Sequence, residues 1–271
     1  MKRLLIGLTA LATFSSLVHG AELPSTPWIR TDKSAMRLQA QGMQNNSYIV
    51  GVEIQLTGNA ITYWGDPGEA GVPPIFAFGG SDNVGKTEVL YPFPQRMDEG
   101  GALAFGYRDH VTFPVRVTPS DPAKPVQLKL QLDYAVCDQI CMPAHGDGAL
   151  TLSPQEKMGE WSAPADVPKL LPDGAASAYV VTPTHGSPKP VWTFTLKDKS
   201  WLADPHADLF VEAPDGWYFD TTKKPEGDGF TLTLAEKPKD AAWPTTITAT
   251  FGTPQRSWEA RLRLDEPAKA P

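Results

Sequence analysis

Cys137 and Cys141 are the only cysteines in the 271 residues, and they sit three residues apart in Tyr134-Ala-Val-Cys-Asp-Gln-Ile-Cys-Met-Pro143. A pair so spaced has three chemical uses: a structural staple, thiol–disulfide exchange, or a soft metal site. As a staple it is weak, because a ring of about five residues removes only about 2 kcal/mol of unfolded-state entropy. Short rings are instead where reducible disulfides occur, through local strain and exposure. Asp138 and Gln139 bring no positive charge that would lower a thiol pKa, so the sequence does not say which cysteine is the nucleophile. For metal, Cys137, Cys141, Met142 and His145 form a soft set suited to Cu(I). Zinc fits less well, since a second close pair of ligands is missing. Pro143, Gly146 and Gly148 make a helix after the pair improbable, which removes the thioredoxin-type way of activating a cysteine at a helix N-terminus. Tyr134 ends a strand before the pair and Pro143 closes it, which predicts a rigid, exposed β-turn.

The elements that must carry this turn are strands. Twenty-seven prolines, 23 glycines and many Thr and Val residues favour strands and turns, and 41% apolar content supplies the cores. In Val126-Gln-Leu-Lys-Leu-Gln-Leu132 every second residue is apolar, which places one face of a strand against a core. Similar patterns predict strands at 36–41, 48–56, 60–64, 74–78, 87–91, 103–107, 111–117, 126–135 and 149–152. Turn clusters such as Gly65-Asp-Pro-Gly68 separate them. After a less regular, Pro- and Ala-rich stretch anchored by Trp161, with room for one short helical turn, strands resume at 191–196, 207–212, 217–219, 230–234, 245–251 and 258–264. The fold class expected is all-β: two immunoglobulin-like antiparallel β-sandwich modules, at 21–155 and 189–265, joined by a linker at 156–188 and ending in a frayed tail at 266–271.

Lys2 and Arg3, then an apolar run to Leu17 and small residues at Gly20 and Ala21, read as a secretory signal peptide (1–20) cut near Gly20. The protein is therefore expected to be exported, and no later run is long enough for a membrane helix. Cleavage removes two basic and no acidic residues, taking the formal charge from −7 to −9. An acidic surface argues against nucleic acid or anionic lipid as partner.

Gly80-Ser-Asp-Asn-Val-Gly-Lys-Thr87 spells a phosphate-binding loop, but that loop needs a following helix. Here Glu88-Val-Leu-Tyr-Pro follows, so the stretch is read as a turn and nucleotide is excluded. There is no nucleophile elbow, no His-Glu-x-x-His, and no glycine fingerprint opening a helix. Asp66, Glu69, Asp98 and Glu99 are acids of the kind usually solvated in loops. The eight tryptophans are assigned to packing.

Tyr63-Trp-Gly-Asp-Pro-Gly-Glu-Ala-Gly-Val-Pro-Pro74, Glu88-Val-Leu-Tyr-Pro-Phe-Pro94, Gly106-Tyr107 and the cysteine stretch together resemble one family. It is the periplasmic N-terminal (α) domain of DsbD-type thiol:disulfide interchange proteins, with the suppressor-of-copper-sensitivity ScsB-like branch nearest. The resemblance covers residues 28 to 155. It implies an immunoglobulin-like sandwich whose Cys137 and Cys141 exchange electrons through a redox-active disulfide, without a cofactor. The implied partners are a membrane-embedded DsbD/ScsB-type electron donor domain and thioredoxin-like periplasmic proteins, so any enzymatic role is that of an oxidoreductase component. Family members cover the disulfide with a mobile loop bearing an aromatic. The loop after residues 60–64 is the candidate here, with Tyr63, Trp64 and Asp66 as contacts. Full-length members continue into a membrane domain and a thioredoxin-like domain, so these 271 residues are expected either to work with separately encoded partners or to be the periplasmic part of something longer, and in both cases to relay electrons supplied by others. Copper tolerance through Cys137, Cys141, Met142 and His145, and an inert adaptor, are the competing readings.

Overall fold

Alternating apolar residues bury one face of a strand, and in the computed structural model nearly every such run forms one. The structure describes residues 23–175, 177–225 and 227–267; the expected signal peptide and the last four residues of the tail lie outside them. Eleven strands come first: β1 (Ile29–Arg30), β2 (Ser34–Gln44), β3 (Ser47–Leu56), β4 (Ile61–Gly68), β5 (Ile75–Ala77), β6 (Val84–Val89), β7 (Gln95–Glu99), β8 (Ala102–Arg108), β9 (His110–Pro119), β10 (Val126–Cys137) and β11 (Cys141–Leu152). They form one sheet in the order β1-β2-β3-β9-β6 and a second in the order β11-β10-β4-β8-β7, with β5 also on β10. Met36, Leu38, Val50 and Val52 of the first sheet meet Leu128, Leu130, Leu132 and Trp64 of the second in one core.

Eight more strands follow: β12 (Lys169–Leu170), β13 (Tyr179–Thr184), β14 (Val191–Leu196), β15 (Asp208–Glu212), β16 (Tyr218–Lys223), β17 (Gly229–Glu236), β18 (Thr245–Thr253) and β19 (Arg256–Leu264). They make the sheets β12-β19-β18-β15 and β13-β14-β17-β16, around a second core rich in aromatics. The described residues are all-β, without a helix. Among the strands named here, β12 pairs with β19 in parallel and the other pairs are antiparallel.

Three differences from the sequence reading have physical causes. β11 begins at Cys141 and not at residue 149. It is an edge strand, where a proline is tolerated. Gly146 and Gly148, read as breakers, let the strand lie close over the facing sheet; a Cβ there would sit 2.6 Å from Met36 Cε and 2.8 Å from Leu38 Cδ1. Second, the stretch read as irregular, with one helical turn, holds β12 and β13 instead. Pro183 disguised β13, which is again an edge. Third, Lys86 and Thr87 lie in β6, so the phosphate-loop spelling falls on a turn and a strand.

β15 joins the two halves. Leu209 and Val211 point into the second core, while Phe210 points into the first. There it meets Trp64, Phe93 and Phe105 edge-on at 5.8, 5.3 and 5.1 Å. Arg96 holds Asp208 through Nε and Nη2 at 2.8 and 2.9 Å beside this cluster.

Candidate functional site

β10 and β11 form a hairpin whose turn is Asp138-Gln-Ile140, and the register sets Cys137 directly opposite Cys141. The two sulfurs are bonded, closing the mouth of the hairpin. The pair ends two strands; Pro143 does not close the turn but lies within β11, opposite Ala135. Lys33 Nζ reaches Asp138 Oδ2 at 3.1 Å, an exposed pair worth little.

Alternation along β10 turns Tyr134 and Val136 inward and Ala135 and Cys137 outward. The outward face is nevertheless covered. Cys137 is 1% exposed, packed with Ile61, Tyr63, Met97, Ala104 and Ala135. Cys141, at the start of an edge strand, is exposed. A sulfur nucleophile arriving from solvent therefore meets Cys141 first.

The cover comes from two segments. The β7–β8 hairpin brings Glu99, the last residue of β7, to the disulfide before turning through Gly100-Gly101. Glu99 Oε1 lies 3.1 Å from Cys141 Sγ. A disulfide sulfur has no proton, so this contact becomes a hydrogen bond only when Cys141 is a thiol. Tyr63 donates its hydroxyl to Glu99 at 2.8 Å from Oε1 and 2.7 Å from Oε2, and that oxygen stands 3.7 Å from Cys141 Sγ. Burial, then the hydrogen bond and charge of Glu99, hold the Tyr63 phenol well above its usual range, so it stays a neutral donor. The second segment is the loop after β4. Gly71, at φ +94°, crosses the Tyr63 ring where a Cβ would lie 2.2 Å from Cε1. Glu69 and Ala70 donate their backbone N–H groups to Leu103 O at 2.8 and 3.3 Å, fixing the loop to β8.

Of the loop contacts expected from the sequence, Tyr63 reaches the disulfide. Trp64, the next residue of β4, faces the other way, 1% exposed and against Phe210. Asp66 accepts from Gly68 N at 3.0 Å, and burial raises its carboxyl above the usual range against that bond. It lines a cleft with Arg96 and Trp217, between the two halves. Tyr134 is buried behind the hairpin, its hydroxyl 2.8 Å from Ser34 Oγ, and burial raises its pKa. The loop after β4 carries no aromatic between Gly65 and Pro74.

The copper set proposed from the sequence does not converge. Alternation puts Met142 on the opposite face from Cys141. His145 shares the face of Cys141, but four residues on it is about 13 Å away along an extended strand. It is also engaged: Nδ1 lies 2.6 Å from Asp133 Oδ1 and Nε2 lies 3.1 Å from Asp147 Oδ1, and these two acids raise its pKa. Among the described residues the group whose ligand atoms converge is Glu99, Cys137 and Cys141, all within 4.8 Å. With the sulfurs bonded to each other, neither offers a thiolate to a metal. Glu99, set aside in the sequence as a solvated loop acid, is thus the contact of the disulfide that the sequence reading missed. Its one sequence signal is its place directly before Gly100-Gly101; only the pairing of β8 with β4 carries it to the cysteines.

An immunoglobulin-like sandwich with a cysteine pair closed across the end of an outer hairpin defines the class. The family model of the N-terminal region of the thiol:disulfide interchange protein DsbD matches residues 28–153. Among solved structures, the N-terminal periplasmic domain of ScsB from Proteus mirabilis matches with a TM-score of 0.65 at 19% identity, covering 90% of this chain and 100% of that one. No curated protein matches the chain by sequence. The family match falls on the half that carries the cysteines, and the likeness to the ScsB domain is one of fold.

Proposed function

We propose that this protein is an exported, periplasmic thiol–disulfide exchange module that relays electrons through Cys137 and Cys141. It would take them from a membrane-embedded or thioredoxin-like donor and pass them to a periplasmic protein. The division expected from the sequence goes with this reading: a signal peptide, a redox sandwich to about residue 155, and a second sandwich docked through Phe210. The observation that carries the proposal is the asymmetry of the pair, with Cys141 exposed at a hairpin end and Cys137 buried beside it.

A donor thiolate attacks Cys141 Sγ, and Cys137 leaves as the thiolate. Ile61, Met97 and Ala135 surround Cys137, and apolar surroundings disfavour a thiolate, so a proton must follow. Solvent supplies that proton, and Glu99, with a carboxylate oxygen within 4.8 Å of both sulfurs, is placed to relay it. A second donor thiolate then attacks the donor sulfur of the mixed disulfide, which closes the donor's own disulfide and releases Cys141 as a thiolate that takes up the second proton. In the forward direction Cys141 attacks the acceptor's disulfide and Cys137 resolves it.

The test is the reduction potential of the pair, equilibrated against glutathione or dithiothreitol. A midpoint between about −180 and −270 mV, where exchange proteins work, supports the relay. A midpoint far below about −300 mV marks an inert staple and sinks it. With Cys137→Ser, Cys141 should hold its partner as a stable mixed disulfide.

A further inference from the structure

The outer face of the β10–β11 hairpin continues beyond Cys141 as a groove of about 490 Å³. Cys141 stands at one end. Ala135 and Pro143, a register pair, form its floor. Val72 and Ile75 form a wall and are 55% and 59% exposed, large apolar side chains left in water. Pro73 and Pro74 between them fix the backbone, so the wall is set before anything binds. At the far end the register pair Asp133 and His145 closes the groove. There Asp133 and Asp147 share one imidazole, which leaves that end negative even when His145 is protonated.

We infer that this groove seats the extended segment carrying a partner protein's reactive cysteine, and that it reads two neighbouring side chains. The inference rests on the exchange reading. A sulfur bonded to Cys141 fixes the segment at one end. In an extended chain the residues two and four away from the cysteine point to the same face, at about 7 and about 13 Å. The first falls over Ala135 and Pro143 against Val72 and Ile75, and selects an apolar side chain. The second falls at Asp133 and Asp147, and selects a cation over an acid. The groove therefore makes Val72 and Ile75 specificity determinants, not parts of the redox machinery.

The probe is a nine-residue peptide with a central cysteine blocked as its thionitrobenzoate disulfide. Leucines stand two residues away on both sides and lysines four away, so chain direction does not matter. The Cys141 thiolate attacks the peptide sulfur and thionitrobenzoate leaves with the bonding electrons. Cys137 then attacks Cys141 Sγ and releases the peptide thiolate. Two electrons pass to the probe, and the two protein thiols give up two protons. Release of thionitrobenzoate from the reduced protein should be about tenfold faster than for a peptide with aspartates in place of the leucines, the value of one apolar side chain buried. Glutamates in place of the lysines should also slow it. Ile75→Asp, and separately Val72→Asp, should bring the leucine-to-aspartate ratio toward one. Both should leave the reaction with a small aromatic disulfide unchanged, which also shows that the site is intact. Equal rates for all peptides, with the small disulfide still reacting, overturn the groove and leave the relay standing. Failure of the small disulfide to restore the Cys137–Cys141 bond overturns the relay and the groove with it.

Discussion

Two ends of one sheet handle aromatic and charged residues in opposite ways. On β4, Tyr63 faces the disulfide and Trp64, its neighbour, faces Phe210. At the Phe210 junction large rings interlock edge-on and Arg96 is held by two oxygens of Asp208, so packing and an ion pair together hold the halves there. At the disulfide the apolar side chains Val72 and Ile75 are left uncovered, and the carboxyl of Glu99 faces a sulfur. The difference separates stability from chemistry. The fold places its aromatic packing where the halves meet, and on the exchange reading the surface left uncovered is the one a partner would use.

Breaking the packed end should have the largest effect on stability. Phe210 is 1% exposed, and Phe210→Ala removes the ring on which Trp64, Phe93 and Phe105 converge. A loss of about 3–5 kcal/mol is expected in guanidinium unfolding, since the cavity left is too well framed to collapse. Ile75→Ser, at the exposed end, should change stability by about 0.5 kcal/mol or less. If the two variants unfold alike, the contrast between the ends is wrong.

The same junction carries a pH dependence of intermediate size. Glu212, at the end of β15, lines a cavity of about 260 Å³ with Trp64, Tyr91, Glu88 and Glu259. Burial, then the charges of Glu259 and Asp66, raise its carboxyl from 4.5 to about 7. Trp64 Nε1, also buried, has no hydrogen-bond partner among the described residues. Glu259 is raised too, by burial against the lowering charge of Arg261, and Glu88 is paired with Arg116. The folded state therefore holds a proton on Glu212 that the unfolded state gives up. That contribution is complete below 4.5 and is lost as pH rises through about 7. Stability should fall by about 2 kcal/mol between roughly pH 5 and pH 8, and Glu212→Gln should flatten the curve. A wild-type curve already flat over that range would show the junction to be wetter than its packing implies.

Much of this was readable from residue patterns, and what was not has a common cause. Period-two alternation places β10, β14 and β18 with little error, because each buries one face and local chemistry decides it. β11 and β13 were hidden because an edge strand tolerates Pro143 and Pro183, which read as breakers along the chain. The cysteine pair stands out by its spacing alone. Its surroundings do not: Glu99 is 42 residues from Cys141, and Phe210 is more than a hundred from Trp64. Tyr63 and Trp64 look equivalent until the strand's face is known. His145 is close to Cys141 in sequence yet is tied to Asp133 and Asp147 along the strand.

The finest test concerns Glu99 itself. Its carboxyl lies 3.1 Å from Cys141 Sγ in the disulfide form, and a carboxylate left at that place after reduction would oppose a second negative charge on the sulfur. The thiolate is the reactive form, so the rate of Cys141 alkylation against pH reports how easily it forms. Glu99→Gln keeps the shape and removes the charge, and should move the midpoint of that profile to lower pH by about one unit. Tyr63→Phe should move it the other way and by less, because the hydroxyl at 3.7 Å is the donor a new thiolate would use. Opposite signs for two substitutions at one contact are hard to produce by general loosening of the fold, which would shift both toward the behaviour of a free cysteine. If both midpoints stay at the wild-type value, Glu99 is only a lid on the disulfide. The exposed end would then rely on its partner for every proton it moves.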